Sequence, residues 1–298
     1  MTPFKRARFL VALLVALCLL GFSVACGDDD DELAEEEGTD TQAAVTPYKP
    51  TGNEGTLTGV VNFVGTPPEA KTISMSADSV CESKNSNAVA EDVVVNNGAL
   101  QNVFVYVKDG KTADNKNINS LGFEPPAQAQ VLDQDGCQYV PHVLGVQVRQ
   151  KLSVTNSDQT SHNINLQAAK NEKSNPSQGP GAPPFERTFT RPETLIPVKC
   201  NQHPWMKAYV GVLSHPFFAV SGPDGKFEIK GLPPGTYTLV AWHEKFKQEQ
   251  TQSITIGAKE TKEATFRFDG GQMTAEFSGG GSLTVMPALE VPYLGHQH

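Results

Sequence analysis

The sequence lacks the features that usually mark an enzyme or a nucleic-acid-binding protein. Its 298 residues contain no pairing of a nucleophile with a base, no glycine-rich phosphate loop and no paired-carboxylate signature. The 24 Lys and Arg residues are scattered and outnumbered by 33 Asp and Glu residues. We therefore expect neither an enzyme nor a nucleic-acid partner.

Helical periodicity is also scarce. No stretch of useful length repeats apolar residues at helical spacing. Short runs of β-forming residues recur instead between Gly- and Pro-rich turns, for example residues 57–63, 103–107 and 237–242. This pattern predicts an all-β fold, with the strands arranged as a sandwich or a barrel.

The N-terminus has the pattern of an export signal. Positive residues at 5–8 precede an apolar run at 9–22, which is shorter than the roughly 20 residues of a membrane span. Residues 23–27, Ser-Val-Ala-Cys-Gly, resemble the lipobox of bacterial lipoproteins, although Ser23 replaces the usual Leu. The resemblance implies a signal peptide at 1–26 and acylation of Cys26. The alternative is an ordinary secretory signal cleaved near Ala25, and either signal places the mature protein outside the cytoplasm. With the lipid anchor, we expect it in the cell envelope, in the periplasm or at the cell surface.

Cysteine is rare, and its count is informative. Cys18 lies in the signal and Cys26 is the expected lipid attachment, which leaves Cys81, Cys137 and Cys200. An odd number of cysteines in an oxidising compartment leaves one thiol without an intramolecular disulfide partner. A bond to a metal would protect such a thiol from oxidation.

A candidate metal site lies at residues 200–206, Cys-Asn-Gln-His-Pro-Trp-Met. A thiolate, an imidazole and a thioether here fall within seven residues, and a second imidazole is available from His162, 38 residues before Cys200. Cys and two His with a weak axial Met are the ligands of blue-copper sites, whereas a thioether is a poor ligand for zinc. The alternative is a metal-free protein in which Cys200 forms a disulfide with one of the other cysteines.

Residues 128–213 resemble the cupredoxins, a family of type 1 blue-copper proteins, with an amicyanin-like ligand loop. The resemblance is carried by the Asn-x-Asp turn before His-Asn-Ile at 162–164, by the Cys-x-x-His-x-x-Met loop and by the strand at 207–212. It implies one type 1 copper centre with four ligands: His162, Cys200, His203 and Met206. His203 would lie at the solvent edge, where electrons leave.

The same resemblance implies roles for three neighbours and a pairing for the other cysteines. Asn163 would tie the two ligand loops together by hydrogen bonds. Pro204 and Trp205 would form the apolar surface on which a redox partner docks, such as a cytochrome c or a dehydrogenase. With Cys200 assigned to copper, we expect Cys81 and Cys137 to form a disulfide. His142, His215 and His243 lie outside the motif, and we interpret them as structural.

Residues 222–242 resemble a second family, the carboxypeptidase regulatory-like domain, which is a small transthyretin-like β-sandwich. The shared features are Asp-Gly-x-Phe followed by Gly-Leu-Pro-Pro-Gly-x-Tyr. We expect a Greek-key cupredoxin-like sandwich packed with, or inserted into, this regulatory-like sandwich. In the alternative, residues 55–108 are the first strands of the cupredoxin itself.

The expected organisation is: 1–26 signal peptide with lipobox, 27–54 acidic disordered tether, 55–127 first regulatory-like strands, 128–213 copper domain, 214–257 remaining regulatory-like strands and 258–298 a mostly flexible tail with a possible last strand at 265–268.

Two main hypotheses for function follow from these features. The first is an exported, lipid-anchored blue-copper protein that carries single electrons. The second is a metal-free surface or scaffold lipoprotein whose β-sandwich binds carbohydrate or protein. A copper carrier would favour an exposed site rich in Met and His, which this chain lacks.

Overall fold

The computed structural model describes residues 46–246 and 248–273. The predicted signal peptide, Cys26 and most of the predicted tether and tail lie outside these ranges. The strands are, in chain order: β1 Thr46–Pro47, β2 Gly55–Val64, β3 Val95–Asn96, β4 Ala99–Leu100, β5 Phe104–Thr112, β6 Leu121–Gly122, β7 Gln130–Asp135, β8 Gln138–Val140, β9 Val143–Gln147, β10 Lys151–Asn156, β11 His162–Asn163, β12 Asn165–Leu166, β13 Ser177–Gln178, β14 Phe185–Thr188, β15 Glu193–Lys199, β16 Lys207–Leu213, β17 Phe218–Val220, β18 Lys226–Leu232, β19 Gly235–Trp242, β20 Gln250–Ile256 and β21 Thr261–Asp269.

Helix is confined to short pieces in the part of the chain that the structure describes. These are α1, Ser79–Lys84, and two 3₁₀ turns at Ile118–Ser120 and Gly270–Gln272. None of them is long and apolar enough to cross a membrane. The predicted all-β sandwich class is confirmed.

The first sandwich, which we call the outer sandwich, combines strands from both ends of the described chain. One sheet has the order β17-β5-β19-β20, and the other has the order β18-β2-β4-β3 with β21 paired to β2. Strands before residue 113 thus pair with strands after residue 217, which argues against residues 55–108 as cupredoxin strands. The core is formed by alternating inward residues such as Leu57, Val61, Ile229 and Leu239.

The last strand is longer than the sequence analysis predicted. Strand β21 runs beside β2 in parallel over its whole length, from Thr56 opposite Thr261 to Val64 opposite Asp269. Ala264, Phe266 and Phe268 are buried while the residues between them are exposed. The alternation with a period of two fixes the register, because a slip by one residue would turn the Phe side chains to solvent.

The second sandwich, which we call the central sandwich, is formed by residues 130–213. Its sheets have the orders β14-β10-β7-β8 and β12-β15-β16-β9. The core between them contains Leu132, Val154, Val198 and Val210. The antiparallel pair of β15 and β16 ends at Lys199 opposite Lys207, so residues 200–206 must form the loop that joins these strands.

Two glycines allow the sandwiches to pack closely. Gly145 on β9 and Gly211 on β16 lie opposite each other in the parallel pairing of these strands. A Cβ atom on Gly145 would lie 2.2 Å from the Phe218 ring, and one on Gly211 would lie 2.4 Å from the Phe104 ring. The glycines therefore leave a slot into which the aromatic rings of the outer sandwich pack.

His215 gives the fold a testable pH dependence. It is fully buried between Phe123 and Phe217, and burial lowers its pKa to about 4. Between pH 6.5 and 4 the unfolded chain therefore binds a proton that the folded protein does not. Neutral His215 therefore contributes to the free energy of unfolding fully above pH 6.5. This contribution is lost as the pH falls to 4, and the loss amounts to about 3 kcal/mol.

Substituting His215→Asn should remove this part of the pH dependence. The Asn side chain can keep an acceptor for the Phe217 N–H, which lies 3.3 Å from His215 Nδ1, but it does not titrate. Urea unfolding at neutral pH and near pH 4.5 should show that the variant loses about 2 kcal/mol less than the wild type on acidification. Equal losses in both proteins would show that His215 does not carry the effect.

Candidate metal centre

The predicted ligands lie at one end of the central sandwich, on two neighbouring loops. Cys200 follows β15, and His203 and Met206 lie in the loop that leads to β16. This loop is closed by two backbone hydrogen bonds, from Met206 N–H to His203 O at 2.9 Å and from Cys200 N–H to Met206 O at 3.2 Å. His162 begins β11, which pairs with β13.

Three of these side chains direct their donor atoms to one point. The Nδ1 atoms of His162 and His203 are 2.9 Å apart, and Cys200 Sγ lies 3.7 Å from His203 Nδ1. One donor atom from each of the three residues falls within 4.8 Å of the others, and all three residues are buried. Met206 is buried in the same hydrophobic cluster as Cys200. The structure therefore gathers one thiol and two imidazoles, with the methionine packed beside them.

Asn163 connects the two ligand loops. Its Oδ1 accepts the backbone N–H of Asn201 at 2.7 Å and lies 3.4 Å from Cys200 Sγ. Its amide group donates to Asn175. The side chain thus bridges the His162 loop and the Cys200 loop.

The local charges favour a thiolate at Cys200. Burial on its own raises the pKa of Cys200, but a hydrogen bond from His162 and backbone N–H groups outweigh it and lower the pKa to about 6. Burial likewise lowers the pKa of His162, but Asp158 and Cys200 raise it to about 9. Since metal ligands bind in their deprotonated forms, metal binding here would release a proton from His162.

His203 is not at the solvent edge, and this prediction is wrong. Only 4% of its surface is exposed. Residues 76–87, which we call the covering segment, lie over its ring and include α1. Asp78 Oδ2 is 3.3 Å from His203 Nε2, and Cys81 Sγ is 3.7 Å from the same atom. The covering segment therefore occupies the place where the sequence resemblance implied solvent.

A disulfide fixes the covering segment to the central sandwich. Cys81 of α1 is bonded to Cys137, which precedes β8, with their Cα atoms 5.5 Å apart. This is the pairing expected from the sequence. Cys200 is left as the free cysteine of the described ranges, and it is buried.

The expected docking residues differ in their exposure. Pro204 is exposed, but Trp205 is only half-exposed. The Trp205 indole N–H donates to the Cys137 carbonyl at 3.0 Å, and its ring centre lies 5.1 Å from that of His203. Trp205 therefore contacts both Cys137 of the disulfide and the candidate ligand His203, with only part of its side chain at the surface.

Two carboxylates beside the histidines were missed by the sequence analysis. Asp158 Oδ2 lies 2.9 Å from His162 Nε2, and Asp78 lies against His203 as described above. Asp158 belongs to the Asn-x-Asp turn four residues before His162, so its position was a usable signal. His142 is not one of the residues that gather with Cys200, and it pairs with Glu244.

Comparisons with known proteins give one family match and several weak structural likenesses. Residues 202–269 match the model of the carboxypeptidase regulatory-like domain family. A copper-containing nitrite reductase from Thermus scotoductus SA-01 is 21% identical, with a TM-score of 0.27 over 30% of this chain and 25% of that chain. This chain thus spans about a quarter of the length of the reductase. No curated protein matches the chain.

Amicyanin structures show a similar level of likeness. A reduced Cu(I) form of an amicyanin variant is 25% identical, with a TM-score of 0.25 over 30% of this chain and 86% of that chain. An oxidised amicyanin variant is 19% identical, with a TM-score of 0.26 over 36% of this chain and 97% of that chain. Likenesses this weak do not establish a function.

Proposed function

We propose that the protein binds one copper ion through His162, Cys200, His203 and Met206 and carries single electrons outside the cytoplasm. The observation that carries this proposal is the convergence of two Nδ1 atoms and one free, buried sulfur. A bound copper ion would supply one-electron chemistry between its Cu(I) and Cu(II) forms. The protein would then be a carrier and not an enzyme.

The donor set fits copper better than other metals. Thiolate sulfur suits Cu(I), and imidazole nitrogen suits both oxidation states of copper. A structural zinc site would normally offer four Cys or His ligands, whereas the fourth candidate here is the thioether of Met206. Burial of the three donor residues keeps bulk water away from the centre.

The protein holds these donors in place through its own framework. Strands β15 and β16 fix the ends of the Cys200 loop, and Asn163 connects that loop to His162. A site held in this way needs little rearrangement when its charge changes, which favours rapid electron exchange. We propose that a redox protein, such as a cytochrome c or a dehydrogenase, approaches over exposed Pro204 and the surface part of Trp205.

A metal-free scaffold protein is the rival function, and one feature of the outer sandwich favours it. An open surface pocket of about 470 Å³ is lined by Tyr48, Leu121 and Pro233 and by polar residues such as Lys49 and Asp114. Ligand sites combine apolar or aromatic walls with polar groups that fix the ligand's orientation. In this hypothesis the protein binds carbohydrate or protein at the surface, and the buried Cys and His cluster has no metal.

A titration of the metal-free protein with Cu(II) distinguishes the two functions. We expect one tight equivalent and the intense blue absorption that arises from thiolate-to-copper charge transfer. The variant His215→Asn is a suitable control, because it removes a buried histidine outside the site and should leave the titration unchanged. A protein that stays colourless with no tight equivalent would support the scaffold function.

We also propose that Cys26 is acylated and anchors the protein to a membrane of the cell envelope. The support is the lipobox-like Ser-Val-Ala-Cys-Gly sequence after an apolar run. Mass spectrometry of the mature N-terminus should find Cys26 as the first residue, with the mass of attached acyl chains. An unmodified N-terminus near residue 26 would show simple secretion instead.

A further inference from the structure

We propose that Asp78 is a positioning residue that holds His203 with its Nδ1 atom turned towards Cys200, and that the disulfide-tethered covering segment brings it there. The inference rests on the proposed function, because it describes how one ligand of that site is prepared. It adds a residue from outside the central sandwich, 125 positions before the histidine that it contacts.

The two carboxylate oxygens of Asp78 have separate partners. Oδ1 accepts the N–H groups of Val80 and Cys81, at 2.8 and 3.2 Å, and so caps α1. Oδ2 accepts the Thr160 hydroxyl at 2.7 Å and faces His203 Nε2 at 3.3 Å. The same side chain therefore begins the helix and contacts the imidazole.

The chemistry of this contact determines the tautomer of His203. An ionised carboxylate can only accept hydrogen bonds, so Nε2 of a neutral imidazole must carry the proton when it bonds to Asp78. Nδ1 is then left with its lone pair, and this is the atom that faces His162 and Cys200. A carboxylate behind a ligand histidine fixes both its tautomer and its orientation.

The second histidine has the same arrangement. Asp158 is completely buried and places Oδ2 at 2.9 Å from His162 Nε2. Each imidazole thus has a carboxylate on its outer nitrogen, while the two Nδ1 atoms face each other. Because the pattern occurs on both histidines, the contact at Asp78 has a matched example within the site.

The position of Asp78 depends on how the covering segment is held. Besides the disulfide to Cys137, Lys84 forms an ion pair with Asp158 at 2.8 Å. The Asn85 amide also donates to the Gly136 carbonyl at 3.1 Å. These contacts hold the middle and the C-terminal end of α1 against the central sandwich, and so keep its capping residue Asp78 over His203.

Two substitutions separate positioning from helix capping. Asp78→Ser keeps a good capping oxygen for α1 but removes the oxygen that reaches His203. Asp78→Asn keeps the shape and the capping oxygen but puts an NH₂ group opposite Nε2. Nε2 must then accept, which moves the proton to Nδ1 and blocks the atom needed for the metal.

The test measures the protonated ring nitrogen of His203 by ¹⁵N NMR of the metal-free protein at mildly alkaline pH. We expect Nε2–H in the wild type, Nδ1–H in Asp78→Asn and a mixture in Asp78→Ser. Competition titrations should then show that both variants bind Cu(I) more weakly than the wild type, by roughly 10- to 100-fold. The loss should be larger in Asp78→Asn than in Asp78→Ser. The control Thr160→Val removes the other partner of Oδ2 and should leave the tautomer unchanged.

The outcomes are distinct. A wild-type His203 protonated on Nδ1, or an Asp78→Asn variant with unchanged tautomer and affinity, would overturn the positioning role. Small and equal losses of copper affinity in Asp78→Asn and Asp78→Ser would also overturn it, because they would show that Asp78 serves only to cap α1. The expected tautomers in a protein that binds no copper would support the positioning role and overturn the proposed function.

Discussion

Replacing Cys200 with serine should abolish the blue colour and weaken copper binding by more than the roughly 10- to 100-fold that loss of an outer partner costs. In the proposed site the thiolate would be the soft, anionic donor, and its charge transfer to copper would be the source of the colour. The lowered pKa of Cys200, about 6, makes the thiolate available near neutral pH. A serine hydroxyl offers no comparable anion.

The fold should survive this change. Serine is close to cysteine in size, and Asn163 Oδ1, which lies 3.4 Å from the sulfur, can accept the new hydroxyl. Far-ultraviolet circular dichroism and the urea midpoint of the metal-free protein should therefore stay near those of the wild type. Loss of colour without loss of structure assigns the effect to the donor atom.

Met206→Leu is the matched control for this experiment. It keeps the sulfur of Cys200 and both histidines, and it changes a buried residue of similar volume. We expect the blue colour to remain in this variant, with a changed reduction potential. If Cys200→Ser still binds one equivalent as tightly as the wild type, copper binds elsewhere, for example at His296 and His298 near the C-terminus.

The sequence alone identifies most of the candidate site because its donors are local. Cys200, His203 and Met206 lie on one short loop, and His162 follows a recognisable turn. This spacing predicts the site because the strands on either side fix the two ends of the loop, and so bring its side chains together. Asp158 could have been found in the same way, because it lies four residues before His162.

The covering segment could not be predicted from its sequence. Helix α1 has six residues, too few for a periodic pattern, and one of them, Cys81, is buried. Its place over His203 depends on long-range contacts, which no local pattern records. The predicted exposure of His203 was wrong for this reason, although the expected disulfide already linked Cys81 to the central sandwich.

In the fold, too, local sequence patterns predicted some features, whereas contacts between distant segments determine others. Strand patterns and turn residues predicted the all-β class and several of the strands, such as those at 103–107 and 237–242. The length of β21 follows from its parallel pairing with β2, about 200 residues away in sequence. The slot at Gly145 and Gly211 has meaning only once Phe104 and Phe218 are known to pack there. Close packing between distant segments was therefore the part that the sequence did not reveal.

Removing the disulfide with the double substitution Cys81→Ala and Cys137→Ala should lower the free energy of unfolding of the metal-free protein by about 4 kcal/mol. The two cysteines are 56 residues apart in sequence, so the bond restricts a long loop of the unfolded chain. Losing that restriction favours the unfolded state. Urea unfolding of both proteins in the absence of reductant measures the difference.

Ser83→Ala is the control for changes within the covering segment. Ser83 is exposed on α1, and its hydroxyl bonds to the Val80 carbonyl within the same helix. A change at such a site should alter the free energy of unfolding by less than about 0.5 kcal/mol. A similar effect of the control and the double substitution would show that the disulfide contributes no loop restriction.

Hydrogen exchange shows whether the covering segment opens before the rest of the protein. In the double variant the remaining contacts of the segment include those of Lys84, Asn85 and Asp78, which are polar and partly exposed. The amides of Glu82 and Asn85, which bond to Asp78 O and Cys81 O, should therefore exchange faster, while those of β5 and β19 report global unfolding. Unchanged exchange at Glu82 and Asn85 would show that the segment stays over His203 without the disulfide. It would contradict the claim that the disulfide holds the segment there.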